Sequence, residues 1–225
     1  MSRVAAFTLV ELLITLAIAA LILGLASQLI HGTNRLSQLS VAQSTGIEHV
    51  QQAANVVADD VRRAYRIAAS GQPVGVDAVA PGASATAGAD QLVLTARAVK
   101  DGDCDRAGIY YEYVAYAFVT RSAVTGGGEW TSVAPDPANE ARRVLVQYVA
   151  CTNVGTVPTT PPVGGTLRIV SDYLDTGTFA YAGVGQRRVT LTLAAGQTVL
   201  GRATTGRTIT TVSYTHLRAH ETRHD

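Results

Sequence analysis

The first thirty residues constrain this chain more than anything else in it. Met1 to Ala6 is a short basic leader, an apolar run extends from Phe7 to Ile30, and Glu11 is the one charged side chain inside that run. As a helix the run would rise about 36 Å at roughly 1.5 Å per residue, enough to cross a bilayer core of about 30 Å with some tilt. An ionised carboxylate held in hydrocarbon without a counterion costs on the order of 3 kcal/mol or more, so Glu11 calls for a cationic partner. One reading is an ordinary signal anchor that contains a glutamate. A cleaved secretory signal fits less well, because no small-x-small site after a short apolar core competes with continuation of the helix.

A basic leader, a small residue and then Phe7-Thr8-Leu9-Val10-Glu11 at the head of a membrane-length apolar run resembles the type IV prepilin family. The resemblance implies cleavage between Ala6 and Phe7 by a membrane aspartyl prepilin peptidase, followed by N-methylation of Phe7. Glu11 then becomes the fifth residue of the mature chain, whose carboxylate in that family pairs with the N-terminal ammonium of a neighbouring subunit during filament assembly. Such pairing would meet the electrostatic demand stated above. Ala6 departs from the family's usual Gly, which implies slower or partial processing. The family's topology is a single pass of the inner membrane, with the head in the periplasm or, after assembly, outside the cell.

Beyond the membrane segment, residues 31–44 are polar apart from Leu36 and Leu39, and Gly46 marks a soft point. Ile47, Val50, Ala54, Val57, Val61, Ala64 and Ala68 then recur at spacings of three and four, the stripe of an amphipathic helix. Glu48, Gln51, Gln52, Asn55, Asp59, Arg62, Arg63 and Arg66 fall on its other faces. The stripe predicts a helix that continues to residue 70 and stops at Gly71-Gln72-Pro73. Three of its seven positions are Ala and it spans about three heptads, so packing on the chain's own sheet is favoured over a coiled-coil seam.

Residues 73–90, rich in Gly, Ala, Pro and Ser, read as a loop. Strand-like runs follow at Gln91–Ala98, Ile109–Thr120, Arg142–Ala150, Thr166–Val170, Arg187–Leu193 and from Thr208 onward, with Tyr110, Tyr111, Tyr113, Tyr116 and Phe118 making the second the most strand-prone. The expected fold class is α+β and pilin-like: a long N-terminal membrane-spanning helix packed on an antiparallel β-sheet head. The expected organisation is a leader (1–6), a transmembrane half (7–30) and an amphipathic half (31–70) of one helix, a β-rich head (71–211) and a non-native tail (212–225).

That last segment rests on likeness alone. Val212 to Thr222 resembles a translated sequencing adaptor run into an open frame, with Arg223-His224-Asp225 following. His216, His220 and His224 stand at helical i, i+4 spacing, but a metal site there is the weaker reading. If the tail is foreign, the natural head carries at least one more strand.

Composition limits the functional classes. The 225 residues carry 18 Lys and Arg against 17 Asp and Glu, a net charge of +1. Discounting Arg218, Arg223, Glu221 and Asp225 removes two of each sign, and losing Arg3 with the leader brings the total to zero. No strongly basic nucleic-acid surface is implied. The two cysteines, Cys104 and Cys151, lie in the segment that a prepilin topology puts outside the cytoplasm, where a disulfide can form. Two buried free thiols are the alternative.

No nucleophile-elbow, phosphate-loop or paired-Cys zinc pattern is present, and an enzyme is not expected. The one metal-like string is Asp101-Gly102-Asp103-Cys104-Asp105, with Glu112 at the twelfth place of a loop begun at Asp101; alternating carboxylates can converge on calcium. Arg106 stands where an EF-hand loop needs Gly, so a solvated acidic turn is the competing reading and no firm cofactor is assigned. The resemblance points to a minor pilin of the W type or a minor pseudopilin of the J type, a non-enzymatic subunit at the tip of, or priming, a type IV pilus or a type II secretion pseudopilus. Its partners would be the prepilin peptidase, other pilin or pseudopilin subunits and the inner membrane. The alternatives are a DNA-binding pilin of a competence system, using Arg142, Arg143, Arg187 and Arg188, and a membrane-anchored extracytoplasmic enzyme.

Overall fold

A computed structural model describes residues 9–98, 104, 111–124, 136–182, 188–199 and 201–214. The first element is one α-helix, α1, running 55 residues from Leu9 to Arg63. The chain divides into two compact units, Met1–Val41 and Ala42–Asp225. In the first, every described side chain from Leu9 to Gln38 is exposed. That exposure includes Leu12, Leu13, Ile14, Leu16, Ile18, Leu21, Ile22 and Leu23. An apolar surface of this length has no favourable place in water, and the helix is long and apolar enough to span a bilayer. Thr15 Oγ1 donates to Leu12 O (2.9 Å) and Thr33 Oγ1 to Ile30 O (3.0 Å), so both hydroxyls are absorbed by the helix itself.

The second unit begins within α1. The helix stops at Arg63, short of the residue 70 that the apolar stripe predicts. Ala64–Ile67 instead form an edge strand, β1, paired antiparallel with β2 (Gln91–Arg97) through Ala64↔Ala96 and Ile67↔Leu94. Ala64 and Ala68 do stay buried, as the stripe requires, but strand pairing satisfies the backbone at Ala64–Ile67 in place of i→i−4 bonds. Tyr65 and Ile67 suit a strand better than a helix, and Tyr65 packs on Tyr111 with ring centroids 5.5 Å apart.

The head is an antiparallel sheet of seven described strands in sequence order, completed by β3 (Tyr111–Thr120), β4 (Arg143–Thr152), β5 (Thr166–Ala182), β6 (Arg188–Val199) and β7 (Arg202–Tyr214). A long apolar helix followed by this sheet is the α+β, pilin-like architecture expected. A short helix, α2 (Arg121–Val124), follows β3. The sequence reading ends the fourth run at Val170, but β5 continues to Ala182 across a bulge, where pairing steps from Leu145↔Ser171 to Arg143↔Leu174. Tyr173 sits in the bulge at φ 55, held there by the Asp172 carboxylate, which accepts from Tyr173 N at 2.7 Å. A polar Ser171-Asp172 pair therefore marks a bulge rather than a strand end. β7 reaches Tyr214, three residues into the segment set apart as a tail; residues 215–225 lie outside the described residues.

Strand alternation sends side chains to two cores. Leu92, Leu94, Val114, Tyr116, Phe118 and Leu145 meet Val50, Ala53, Ala54, Val57 and Val61 of α1. On the opposite face Val93, Tyr113, Ala115, Val119, Val146 and Tyr148 are covered by Val74, Val76, Ala80, Ala87 and Val124. The Gly-rich segment before β2 is thus the cover of the second core, and β2 is buried on both faces. Gly177 lets β5 pass beneath Phe118, since an added Cβ would stand 2.2 Å from the ring.

Candidate functional site

Ala6 and Phe7, the expected cleavage and methylation positions, lie outside the described residues. Glu11 lies in the first turn of α1, where the helix dipole favours a negative charge. It is the only acidic or basic residue of the helix before His31 and Arg35. Geometry in this unit therefore presents one carboxylate near the start of an apolar rod.

The head places its buried charge elsewhere, on a residue that the sequence reading passed over. Asp60 is 6% exposed on the sheet-facing side of α1. Its Oδ2 accepts from Tyr116 Oη of β3 (2.6 Å) and from Gln147 Nε2 of β4 (2.9 Å), while Arg63, one turn on, pairs with its Oδ1. Gln147 Nε2 also lies 2.7 Å from Tyr116 Oη, and Arg168 Nε of β5 donates to Gln147 Oε1. Arg63 reaches Glu112 Oε2 at 3.3 Å. Burial raises the Tyr116 phenol well above its ordinary value, and the Asp60 charge adds to the rise. Burial works to lower the Arg63 pKa, but Asp60 and Glu112 carry it above the usual arginine value. Asp60 follows Ala53 by seven residues and Val57 by three, so a helical wheel puts it on the buried face; that spacing was the available signal.

Cys104 and Cys151 form a disulfide with Cα atoms 5.2 Å apart. Cys151 stands across from Glu112 in the β3–β4 register, so the bridge ties the segment before β3 to the end of β4. Of the calcium candidates, Asp101, Asp103 and Asp105 lie outside the described residues. Glu112 lies within a strand and is ion-paired with Arg63. Among the described residues no cluster of three His, Cys, Asp or Glu could hold a metal ion.

The arginines of the DNA-binding alternative are already engaged in part. Arg142 pairs with Asp175, and Arg143 Nη2 donates to Asp90 Oδ1 at 2.8 Å. Arg188 is exposed at the head of β6, and Arg187 lies outside the described residues. Elsewhere Arg121, 1% exposed, donates through Nε to both oxygens of Asp172 at 3.2 Å, with its guanidinium 4.8 Å from the Tyr173 ring centroid. This pair braces the β5 bulge beside a shallow groove lined by Gln43, Gly46, His49 and Gln197.

Residues 1–27 match the prokaryotic N-terminal methylation motif, the type IV prepilin-like signal. No curated protein and no solved structure matches the chain.

Proposed function

We propose that this chain is a minor pilin or minor pseudopilin, a non-enzymatic subunit that primes or tips a type IV pilus or a type II secretion pseudopilus. The observation that carries this reading is the methylation motif over residues 1–27, set on an apolar helix with a single carboxylate at Glu11 and followed by a β-sheet head. A prepilin peptidase cuts after Ala6, and Phe7 becomes the N-methylated mature terminus. The helix anchors the subunit in the inner membrane until other pilin or pseudopilin subunits draw it out. Glu11 then exchanges a hydrated or paired state in the membrane for the terminal ammonium of its neighbour, which makes assembly favourable despite the burial of charge.

The head suits a structural part. Among the described residues the buried charges, Asp60 and Arg121, are spent on holding elements together, and the ion pairs of Arg142 and Arg143 leave less positive charge for phosphate contacts. The test is mass analysis of the mature protein from cells with and without a prepilin peptidase. The proposal expects N-methyl-Phe7 as the terminus only when the peptidase is present, and Ala6→Gly to be processed at least as fast as the parent. A mature terminus at any other residue overturns it.

A further inference from the structure

We infer that the buried pair Arg121–Asp172 sets the corner at which the head sheet folds over α1: it holds Tyr173 in the left-handed backbone region, and β5 changes partners there. β5 serves two neighbours in succession. Thr166 to Leu174 pair with β4, and Leu174 to Ala182 pair with β6. Both registers break at the junction, opposite Arg143/Leu145 in β4 and between Leu174 and Thr176 against β6. A strand that passes from one sheet layer to the next does so through bulges of this kind. Beyond the junction β5 returns over the first layer. Phe179 N donates to Ala89 O at 2.7 Å, and Tyr181 Oη donates to Gln91 O at the start of β2. In a flat sheet β2 and β5, three places apart in strand order, would stand about 14 Å from each other at roughly 4.8 Å per strand. The fold-over brings Leu174, Phe179, Leu191 and Leu193 into the core with Val50 and Val57 of α1, and it brings Ser213 of β7 to Ala58 O at 3.0 Å.

Apolar burial favours closure but does not by itself hold a tyrosine at φ 55, a conformation that its Cβ makes unfavourable. Polar contacts do. The Tyr173 amide donates to Asp172 Oδ1, and the same carboxylate receives Arg121 Nε through both oxygens. Arg121 also lies over the Tyr173 ring and donates from Nη2 to its hydroxyl at 3.3 Å. Arg121 is fixed in turn by its own backbone, whose amide donates to Arg142 O at 2.7 Å. The corner has a second ion pair, Arg142–Asp175, but Asp175 is open to solvent, where such pairs contribute little. The buried pair is therefore the one that decides the backbone at Tyr173.

The experiment reads both the corner and its cause. Nitroxides are placed by non-cysteine chemistry at Thr166 and Thr210, exposed positions on either side of the corner, in the full chain in detergent micelles. Their separation is measured by pulsed electron resonance, and the parent is expected to give one distance. Arg121→Met with Asp172→Leu removes both charges together, so that neither is left buried alone, and is expected to stay folded with a broader, displaced distribution. Adding Tyr173→Gly is expected to bring back the parental distance, because glycine takes φ 55 without a Cβ penalty, whereas adding Tyr173→Ala is not. Arg142→Ala should leave the parental distance unchanged. A parental distribution without the buried pair, equal effects of Gly and Ala at position 173, or a displacement as large from Arg142→Ala overturns the inference. If the variant without the pair fails to fold, the same comparison is read as folding: rescue by Tyr173→Gly and not by Tyr173→Ala supports the inference, and rescue by both or by neither overturns it.

Discussion

Tyr116 Oη donates to Asp60 Oδ2 across 2.6 Å, joining the third strand of the sheet to the amphipathic end of a helix that begins in an apolar segment. Both partners are buried, so the bond is strong in proportion to what is lost when it is broken. Asp60→Ala takes the carboxylate from the Tyr116 hydroxyl and from Gln147 Nε2, leaving those two groups to each other while Gln147 Oε1 keeps Arg168, and it strips Arg63 of its nearest anion. We expect a loss of about 2–4 kcal/mol by chemical denaturation in micelles. Tyr116→Phe should cost about 1–2 kcal/mol, because Gln147 and Arg63 still satisfy the carboxylate. Equal losses from the two substitutions would show that Tyr116 alone carries the contact.

Alkaline pH provides a second test. Burial raises the phenols of Tyr113, Tyr116 and Tyr181 above the ordinary value near 10, so the folded state holds their protons more tightly than the unfolded chain. The stabilisation is complete below about pH 10 and lost as pH rises past it, by up to about 1.4 kcal/mol per pH unit for each phenol. Lys100 is the only lysine and the cysteines are bridged, so these phenols should dominate the fall. Tyr113→Phe should make the slope of stability against pH between 10 and 11 shallower. An unchanged slope would contradict this.

The disulfide encloses a separation of 47 residues. On the chain-entropy account its removal releases about 4 kcal/mol of constraint on the unfolded state. The paired change Cys104→Ser and Cys151→Ser is expected to lower the unfolding free energy by most of that amount, read as a lower denaturation midpoint, and alkylation of the unreduced parent should find no free thiol. A midpoint within error of the parent would count against a structural bridge.

For Glu11 the expectation is asymmetric. Glu11→Ala makes the apolar segment more apolar, so membrane insertion should be retained or improved. Incorporation into filaments should be lost, because the neighbouring ammonium then enters the assembly without its carboxylate. Fractionation and filament shearing measure the two outcomes separately, and normal incorporation of the Ala variant would refute the pairing.

Much of this protein was legible from residue order because its strongest signals are local. A run of side chains without charge from Leu12 to Ile30 admits a helix in an apolar phase and little else, and Glu11 within the same segment reads as a demand for a partner. The aromatic-rich, almost continuously apolar run at Tyr111–Thr120 declared a strand just as locally, through side chains that favour a pleated, buried surface. Tertiary structure decided the points where local preference is nearly balanced. Ala64–Ile67 carry a helical spacing, yet the free edge of β2 claimed them. Ser171-Asp172 reads as a break, yet Arg121 and the flanking strands hold it as a bulge. Asp60 is the clearest case. Its place on the helix wheel follows from the sequence, but its partners lie 56 and 87 residues away, on strands whose register no local rule specifies.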